Sequence, residues 1–293
     1  MKFRLMAPLR TAAQLVQQAA RAWLLHNASS MGAAIAFYTV FSIAPILIIV
    51  VSLFGLLLGT ETVRSELLGQ LQALMGAAGA SAVKTLLSNT AYLGKSRIAT
   101  AVGIVTLLIG ATSVFVQLQQ SLDQVWGVPA QKLKSSVWQF VRTRLLSFGL
   151  VLGMGFLLMV SLVVSAALAA FGNYLAGLLG DGTYIVYCVD ILLSVGMSTL
   201  VFALVYKVLP QEPIGWSDVW IGGFVTAVLF GAGKVAIGLY LGKSAFTSAY
   251  GAAGSFVVLL LWVYYSAQIF LFGAELTRAF AYAHGTRAAV PAT

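Results

Sequence analysis

Long apolar segments alternate with short polar ones along the chain. Each apolar segment has about 20 residues or more, and at about 1.5 Å of rise per residue a helix of this length crosses a hydrocarbon layer of about 30 Å. The pattern predicts an all-α, polytopic integral membrane protein, a bundle of six transmembrane helices with amphipathic interfacial helices. The predicted spans lie near residues 33–59, 98–120, 145–170, 185–207, 219–242 and 252–275 of a single membrane domain covering 1–293.

Two further segments have the polar and apolar sides of interfacial helices. Residues 9–27 place apolar and polar side chains on opposite sides of a helix, so 1–30 is predicted to be a cytoplasmic amphipathic helix. It either packs on the end of the bundle or anchors on the membrane surface. Polar residues interrupt this stretch, and we expect no cleavable signal peptide. Residues 60–97 are too polar and glycine-rich to cross the membrane, and predict one or two amphipathic helices that cap an outward opening or lie on lipid.

Composition agrees with a membrane protein. Hydrophobic residues make up 60% of the chain and charged residues 9%, with a mean hydropathy of +0.95, whereas soluble domains hold about 25% charged residues. The net charge of +9 does not indicate nucleic-acid binding, because the positions of the basic residues along the chain fit the topology of a membrane protein. With the N-terminus inside, eleven of the 17 Lys and Arg residues fall on the inner side, five on the outer side and Lys234 within a span. This bias predicts cytoplasmic termini.

Several kinds of chemistry lack support in the sequence. The single cysteine, Cys188, forms no intramolecular disulfide, and the two histidines, His26 and His284, lie near opposite ends of the chain without a ligand pattern. We interpret each histidine as a satisfied or solvated interfacial residue and predict no metal and no cofactor. No phosphate-binding loop or common hydrolase motif is present. We therefore expect neither an enzyme nor a nucleotide-driven pump.

The last span carries a line of polar residues. On a helix of about 100° per residue, Tyr264, Gln268 and Glu275 fall within about 40° of one another. Such groups are expensive to expose to lipid, so this line should face protein or water. Glu275 lies near the inner surface, where topology alone can explain it. The expected basic partners of Glu275 are Arg278, Arg142 and Arg144.

Two charges fall inside predicted spans at similar depth. Asp190 is about five residues from the outer end of the fourth span and Lys234 about eight from that of the fifth. Because an unpaired charge is costly in the membrane, we hypothesise an Asp190–Lys234 ion pair, with a functional or a structural role equally favoured. Alternatively, Lys234 snorkels outward.

Two patterns in the first spans concern helix shape and packing. Pro45 removes a backbone hydrogen bond and predicts a kink, and the nearby Ser42 can help to satisfy the freed backbone. The kink serves as packing shape or, less favoured, as a gate.

The second span has a stripe of small and polar residues, for which helix packing is favoured over a ligand path. The stripe comprises Gly103, Thr106, Gly110, Ser113 and Gln117.

Four stretches together resemble a known family. They are GAAIAFYTVFSIAP in the first span, VFVQLQQSLDQVW at the end of the second, LPQEPIGWSDVWIGG, and the long final block GAAGSFVVLLLWVYYSAQIFLFGAELTRAF. In this order, over roughly residues 30–280, they resemble the YihY/virulence factor BrkB family. The final block is the most specific of them. Residues that lie in the matching motifs are Pro45, Trp126, Tyr264, Gln268 and Glu275, and Lys234 lies between the third and fourth stretches.

The resemblance implies a six-helix protein of the bacterial inner membrane but no established activity. The family was once labelled ribonuclease BN, generally regarded as a misassignment, and the absence of a catalytic cluster agrees with its withdrawal. Some relatives have been connected with serum resistance or with export of lipid A precursors. The resemblance carries no site residues over to this chain.

These observations favour a non-enzymatic protein that transports or accommodates a lipid or other amphipathic envelope substrate. Membrane lipids are then its partners, and the hypothetical substrate path comprises Lys234, Asp190, Tyr264, Gln268 and Glu275. The first alternative is a structural or partner-binding envelope protein with a protein partner. The least favoured is a membrane-embedded enzyme.

Overall fold

A computed structural model describes residues 6–89, 97–128, 183–243 and 254–287, together with the isolated positions 145, 149 and 153. These residues form helices and connecting turns and contain no strand, which confirms the all-α class. The third predicted span otherwise lies outside the described residues. The long helices are α1 (Met6–Leu25), α2 (Ala28–Leu58), α3 (Thr60–Asn89), α4 (Arg97–Val125), α5 (Thr183–Val208), α6 (Trp216–Lys243) and α7 (Gly254–Ala283).

Three stretches in the described part are long and apolar enough to cross a membrane. They are Ile191–Val208 in α5, Trp216–Ile237 in α6 and Phe256–Ala283 in α7, and α2 contains a shorter apolar stretch, Ala28–Ile43. Their length and composition agree with an integral membrane protein. The number of six spans stays a prediction.

Helix α7 is the centre of the bundle. It packs against α1, α2, α3, α4 and α6. Leu259, Leu271 and Ala274 are almost wholly buried along its length, and its Glu275 is buried as well. Because neighbours surround it, α7 has apolar or small residues on most of its circumference instead of a single apolar stripe.

Glycines allow the backbones of α5, α6 and α7 to come close. A Cβ at Gly223 of α6 would lie 2.9 Å from the carbonyl oxygen of Thr199 and 3.0 Å from the amide nitrogen of Ala203, both on α5. Backbone atoms cannot move aside as a flexible side chain can, so only glycine fits here. Tyr206 of α5 donates a 2.7 Å hydrogen bond to the carbonyl of Phe270 on α7.

Helices α6 and α7 are joined by a reciprocal contact, here called the Gly/Thr interlock. Thr277 of α7 lies on Gly222 of α6, and Thr226 of α6 lies on Gly273 of α7. Each threonine hydroxyl donates a 2.7 Å hydrogen bond to the carbonyl of the glycine four residues before it on its own helix. The polar atoms are thus satisfied within each helix, and small residues let the two antiparallel backbones approach closely.

Helix α3 covers most of the segment 60–97, for which the sequence predicts one or two amphipathic helices. Thr60–Asn89 is one helix that runs alongside α2 and α7. Gly59, with φ of 87°, makes the reversal between α2 and α3. Val83 of α3 is fully buried in a cluster with Val40 of α2 and Leu259 of α7.

The connection between α5 and α6 holds the ends of neighbouring helices together. Asp123 near the end of α4 accepts hydrogen bonds from the backbone nitrogen and side-chain Nε2 of Gln211, at 2.8 and 3.0 Å. Burial raises the pKa of Asp123, and the two bonds from Gln211 oppose that rise. The carboxylate therefore ties α4 to the turn after α5.

The end of α7 is tied to the same region. Buried Asp218, in the first turn of α6, accepts a 2.6 Å hydrogen bond from the hydroxyl of Thr286. Arg287 donates to Glu212 at 3.2 Å and its guanidinium lies 5.3 Å from the ring centre of Trp126. We call this side of the bundle, where α4, α5 and α7 end and α2 and α6 begin, the loop end.

The interlock predicts that Gly273→Ala destabilises the protein. The added Cβ would overlap Thr226 Oγ1 and lie 2.7 Å from Tyr206 Oη, so α6 and α7 must separate, at a cost of about 1–3 kcal/mol. Gly231→Ala on α6 is the matched control, because no atom lies within 4 Å of its Cβ position, and alanine favours the helix by about 1 kcal/mol. Thermal unfolding of the two purified variants in one detergent measures both changes in stability. Equal unfolding midpoints for Gly273→Ala and Gly231→Ala would contradict the interlock.

Candidate functional site

A two-residue turn between α1 and α2 begins the candidate site. Asn27 adopts the left-handed conformation, with φ of 53°, which asparagine tolerates better than most residues. The side chain of Gln124 on α4 donates a 3.1 Å hydrogen bond to the carbonyl of His26. The turn is therefore held against α4, with His26 beside α7.

His26 forms a pair with Glu275 of α7. Its Nδ1 lies 2.5 Å from Oε1 of Glu275, although the residues are 249 positions apart. The glutamate side chain is 0% exposed and the histidine side chain 25% exposed. A proton between these two atoms gives either a histidinium–carboxylate pair or a neutral hydrogen-bonded pair. In both states the contact compensates for burial of the carboxyl group.

This pairing gives Glu275 a partner that the sequence did not predict. Arg142 and Arg144 lie outside the described residues, and the guanidinium of Arg278 lies 5.7 Å from the ring centre of Tyr282. Arg278 still interacts electrostatically with Glu275. His26 is satisfied, as the sequence predicts, but its partner is a residue of the predicted substrate path. Oε2 of Glu275 and Nε of Arg278 are buried without a hydrogen-bond partner in the described part of the chain.

Gln268 lies two helical turns before Glu275 on α7. Both polar atoms of its amide are buried and have no hydrogen-bond partner among the described residues. The amide lies directly on Gly32 of α2, where any Cβ would overlap Nε2. A glycine at this position thus makes room for a polar side chain inside the bundle.

A groove of about 500 Å³ runs between α1, α6 and α7. This volume is within the range of about 300–1,000 Å³ typical of small-molecule sites. Most of its lining is apolar, and its polar groups belong to Trp23, Tyr265 and Gln268. The lining residues are Ala20, Trp23, Leu229, Ala232, Gly233, Ala236, Tyr265, Gln268, Ile269 and Phe272.

The structure divides the predicted polar line of α7. Gln268 lines the groove, and Glu275 pairs with His26. Tyr264 is half-buried against the apolar cluster of α2, α3 and α7 that contains Val40 and Val83. Side chains at the same angle on α7 therefore meet different neighbours at different depths.

Of the two predicted intramembrane charges, the structure describes the side chain of Lys234 only. Lys234 is half-buried on α6, next in sequence to the groove residue Gly233 but not itself part of the lining. The side chain of Asp190 lies outside what the structure describes. The Asp190–Lys234 pair stays a prediction.

Ser42 connects two helices instead of satisfying the backbone near Pro45. Its hydroxyl donates to the carbonyl of Gly110 on α4, which places Gly110 of the predicted stripe against α2. The helix α2 continues through Pro45, whose side chain and kink lie outside the described features.

The other stripe residues make local contacts where they are described. Ser113 donates a 2.6 Å hydrogen bond to the carbonyl of Ile109, and Gln117 donates a 3.4 Å bond to Ser121. The surroundings of Gly103 and Thr106 are outside the described part. Helix packing therefore accounts for Gly110, and no described stripe residue lines the groove.

Sequence reasoning missed Trp23, Gly32 and the pairing of His26. Trp23 has a buried Nε1 without a hydrogen-bond partner in the described ranges. The usable signal is the position of His26, which directly follows an amphipathic helix and is one of only two histidines. Within the described ranges, no three His, Cys, Asp or Glu side chains lie close enough to hold a metal ion.

The His26–Glu275 contact predicts strong energetic coupling. In a double-mutant cycle with His26→Ala and Glu275→Gln, we expect a coupling free energy of about 1–3 kcal/mol, because either change alone leaves the other group buried or half-buried without its partner. Thermal unfolding at one pH provides the four stabilities. His284→Ala is the control, since His284 is exposed at the end of the described chain. If the effects of the two changes on the free energy of unfolding were additive, the contact would contribute nothing to stability.

Comparison with known proteins places this geometry in a family. No solved structure matches the chain. The chain is 29% identical over 243 residues to a UPF0761 membrane protein of Ralstonia nicotianae, with 82% of this chain and 52% of the relative covered. It is 27% identical over 263 residues to one of Pseudomonas paraeruginosa, covering 88% and 60%, and 30% identical over 266 residues to one of Bordetella petrii, covering 89% and 55%.

The chain thus spans between half and about 60% of the length of these relatives. The family model described as Virulence factor BrkB matches residues 19–292. This range includes all the described residues from Trp23 to Arg278 that form the groove and the His26–Glu275 pair. The chain therefore belongs to the virulence factor BrkB family.

Proposed function

We propose that this protein accommodates a lipid or other amphipathic envelope molecule and moves it between the leaflets of the bacterial inner membrane, without nucleotide hydrolysis. Both termini are then cytoplasmic, with the loop end of the bundle on the cytoplasmic side. The proposal concerns a transport protein and not an enzyme. Its main support is the groove between α1, α6 and α7.

The groove offers an acyl chain a place within the span of the membrane. Two of its walls belong to Trp216–Ile237 and Phe256–Ala283, which are long and apolar enough to cross the bilayer. Its lining is apolar along Leu229, Ile269 and Phe272. An acyl chain can therefore leave the bilayer for the groove without losing an apolar environment.

Helix α1 forms the remaining wall. Ala20 and Trp23 of α1 line the groove, and α1 is joined to α2 by only His26 and Asn27. The buried contact with Glu275 fixes this turn on α7. A change at the pair would shift the α1 wall relative to α6 and α7, and would change access to the groove.

The pair also supplies a group that can exchange a proton near the groove. Glu275 lies three residues beyond the groove residue Phe272 on α7. Acidic groups and histidines within membrane bundles serve as proton relays in transporters. A proton gradient is thus the proposed drive for movement, in agreement with the lack of a nucleotide-binding motif.

Filling the groove tests the proposal. Wild-type protein and variants are reconstituted in liposomes, and movement of a fluorescent phospholipid between leaflets is followed with and without a pH gradient. Ala236→Phe places a ring in the groove and is expected to slow movement about tenfold, the effect of roughly 1.4 kcal/mol of steric cost. Val235→Phe is the matched control, because Val235 is 60% exposed and is not a groove residue.

Wild-type rates equal to those of protein-free liposomes, under both conditions, would contradict transport. Equal slowing by Ala236→Phe and Val235→Phe would contradict the groove as the path. If the protein moved no lipid but crosslinked stoichiometrically to one envelope protein, a structural or partner-binding role would replace the proposal.

A further inference from the structure

Two residues that line the groove carry buried polar atoms that are unpaired in the described part of the chain. Nε1 of Trp23, on the α1 side, and both amide atoms of Gln268, on the α7 side, are buried without a hydrogen-bond partner among the described residues. Both residues line the groove. An unpaired buried polar group costs about 1–3 kcal/mol, so an occupant that pairs with these groups would gain that free energy.

These groups specify the chemistry of their partner. The indole N–H of Trp23 only donates, whereas the amide of Gln268 donates through Nε2 and accepts through Oε1. A carbonyl oxygen can accept from the two N–H groups, but Oε1 of Gln268 needs a donor such as a hydroxyl. The amide atoms are enclosed against Gly32 and Nε1 of Trp23 is enclosed as well, so pairing with an occupant requires both side chains to rotate towards the groove.

The charges near the groove favour an uncharged polar region. Among the described residues, the lining contains no Lys, Arg, Asp or Glu. The nearest ionisable pair on α7, Glu275 with His26, is already formed. A phosphate or carboxylate placed against Trp23 and Gln268 would lose its hydration without gaining a counter-charge from the described lining, and would leave Oε1 of Gln268 without a donor.

The size of the groove favours one chain. Its volume of about 500 Å³ lies in the lower half of the range of about 300–1,000 Å³ that holds drug-sized molecules. The α7 part of the lining runs from Tyr265 to Phe272, about two helical turns or roughly 10 Å. This space encloses part of one acyl chain, with any further length in the bilayer.

We infer that the groove binds an amphiphile with one acyl chain and an uncharged polar region that offers a carbonyl and a hydroxyl, as in a monoacylglycerol. Trp23 and Gln268 hold the polar region, and the chain lies along Leu229, Ile269 and Ala236. This inference rests on the proposed lipid role of the groove and names the class of molecule that fits it.

Binding to the purified full chain in detergent tests this inference without any transport. Tritiated 1-monooleoylglycerol is the probe in a scintillation proximity assay, and methyl oleate and oleate are competitors with the same chain. Methyl oleate lacks the hydroxyl and oleate carries a charge, so we expect each to bind about tenfold more weakly than monooleoylglycerol. This comparison uses the unchanged protein and does not depend on the folding of a variant.

Two substitutions locate the site. Trp23→Phe keeps an aromatic ring without the N–H, and Gln268→Leu keeps the approximate size without the amide. Each is expected to weaken monooleoylglycerol binding about three- to tenfold and to reduce its advantage over methyl oleate. Trp220→Phe and Gln120→Leu are matched controls at exposed positions outside the groove, and are expected to leave binding unchanged.

Equal affinity for monooleoylglycerol, methyl oleate and oleate would overturn the inference, even if fluorescent phospholipid still moved between leaflets. Unchanged discrimination in Trp23→Phe and Gln268→Leu would overturn it as well. A large coupling free energy between Trp23 and Gln268 in the unfolding of the ligand-free protein would also overturn it, because the two side chains would then pair with each other. Selective monooleoylglycerol binding by a protein that moves no lipid would support the inference while the proposed function fails.

Discussion

The position of α7 at the centre of the bundle is the constraint on which the other features depend. Because α7 is surrounded, each helix that touches it needs a close fit, and the fit to α6 is made by the Gly/Thr interlock at Gly222, Thr226, Gly273 and Thr277. In a membrane, apolar surface alone does not drive helices together, since lipid is as apolar as the helix surface. Here the helices are held together by close backbone contact and by the hydrogen bond from Tyr206 of α5 to the carbonyl of Phe270 on α7. The groove lies where α1 packs beside α6 and α7.

The bundle separates its polar groups into those that stabilise and those that stay unpaired. At the loop end, Asp123 and Asp218 accept several hydrogen bonds from neighbouring segments. Deeper along α7, Gln268 has none within the described residues. Natural interiors satisfy nearly all buried polar groups, so the unpaired amide of Gln268 sets this part of α7 apart from the loop end. The hydrogen-bonded carboxylates and the unpaired amide therefore lie on different helices and at different depths of the bundle.

Local patterns predicted much of the fold, and little of the site. Hydrophobic length is enough for the all-α class and for α7. This helix runs over Gly254–Ala283 where the sequence predicts 252–275, so it continues for about two turns beyond the predicted end. Helix α3 was less predictable, because a helix that packs between others needs small residues such as Ala82 and no clear apolar stripe. The His26–Glu275 contact joins residues 249 positions apart, and no periodicity within either helix carries that information. Gln268 was predictable as polar and inward, but the groove beside it depends on the placement of Trp23 on another helix.

The His26–Glu275 contact also has a consequence for the order in which the protein is made. At about 5–20 residues per second, the 249 positions between the two residues correspond to roughly 10–50 s of synthesis. During that time α1, α2 and α4 have been synthesised while α7 is still absent. Gly32 then faces no glutamine and His26 no carboxylate, so both contacts form only after α7 has been made.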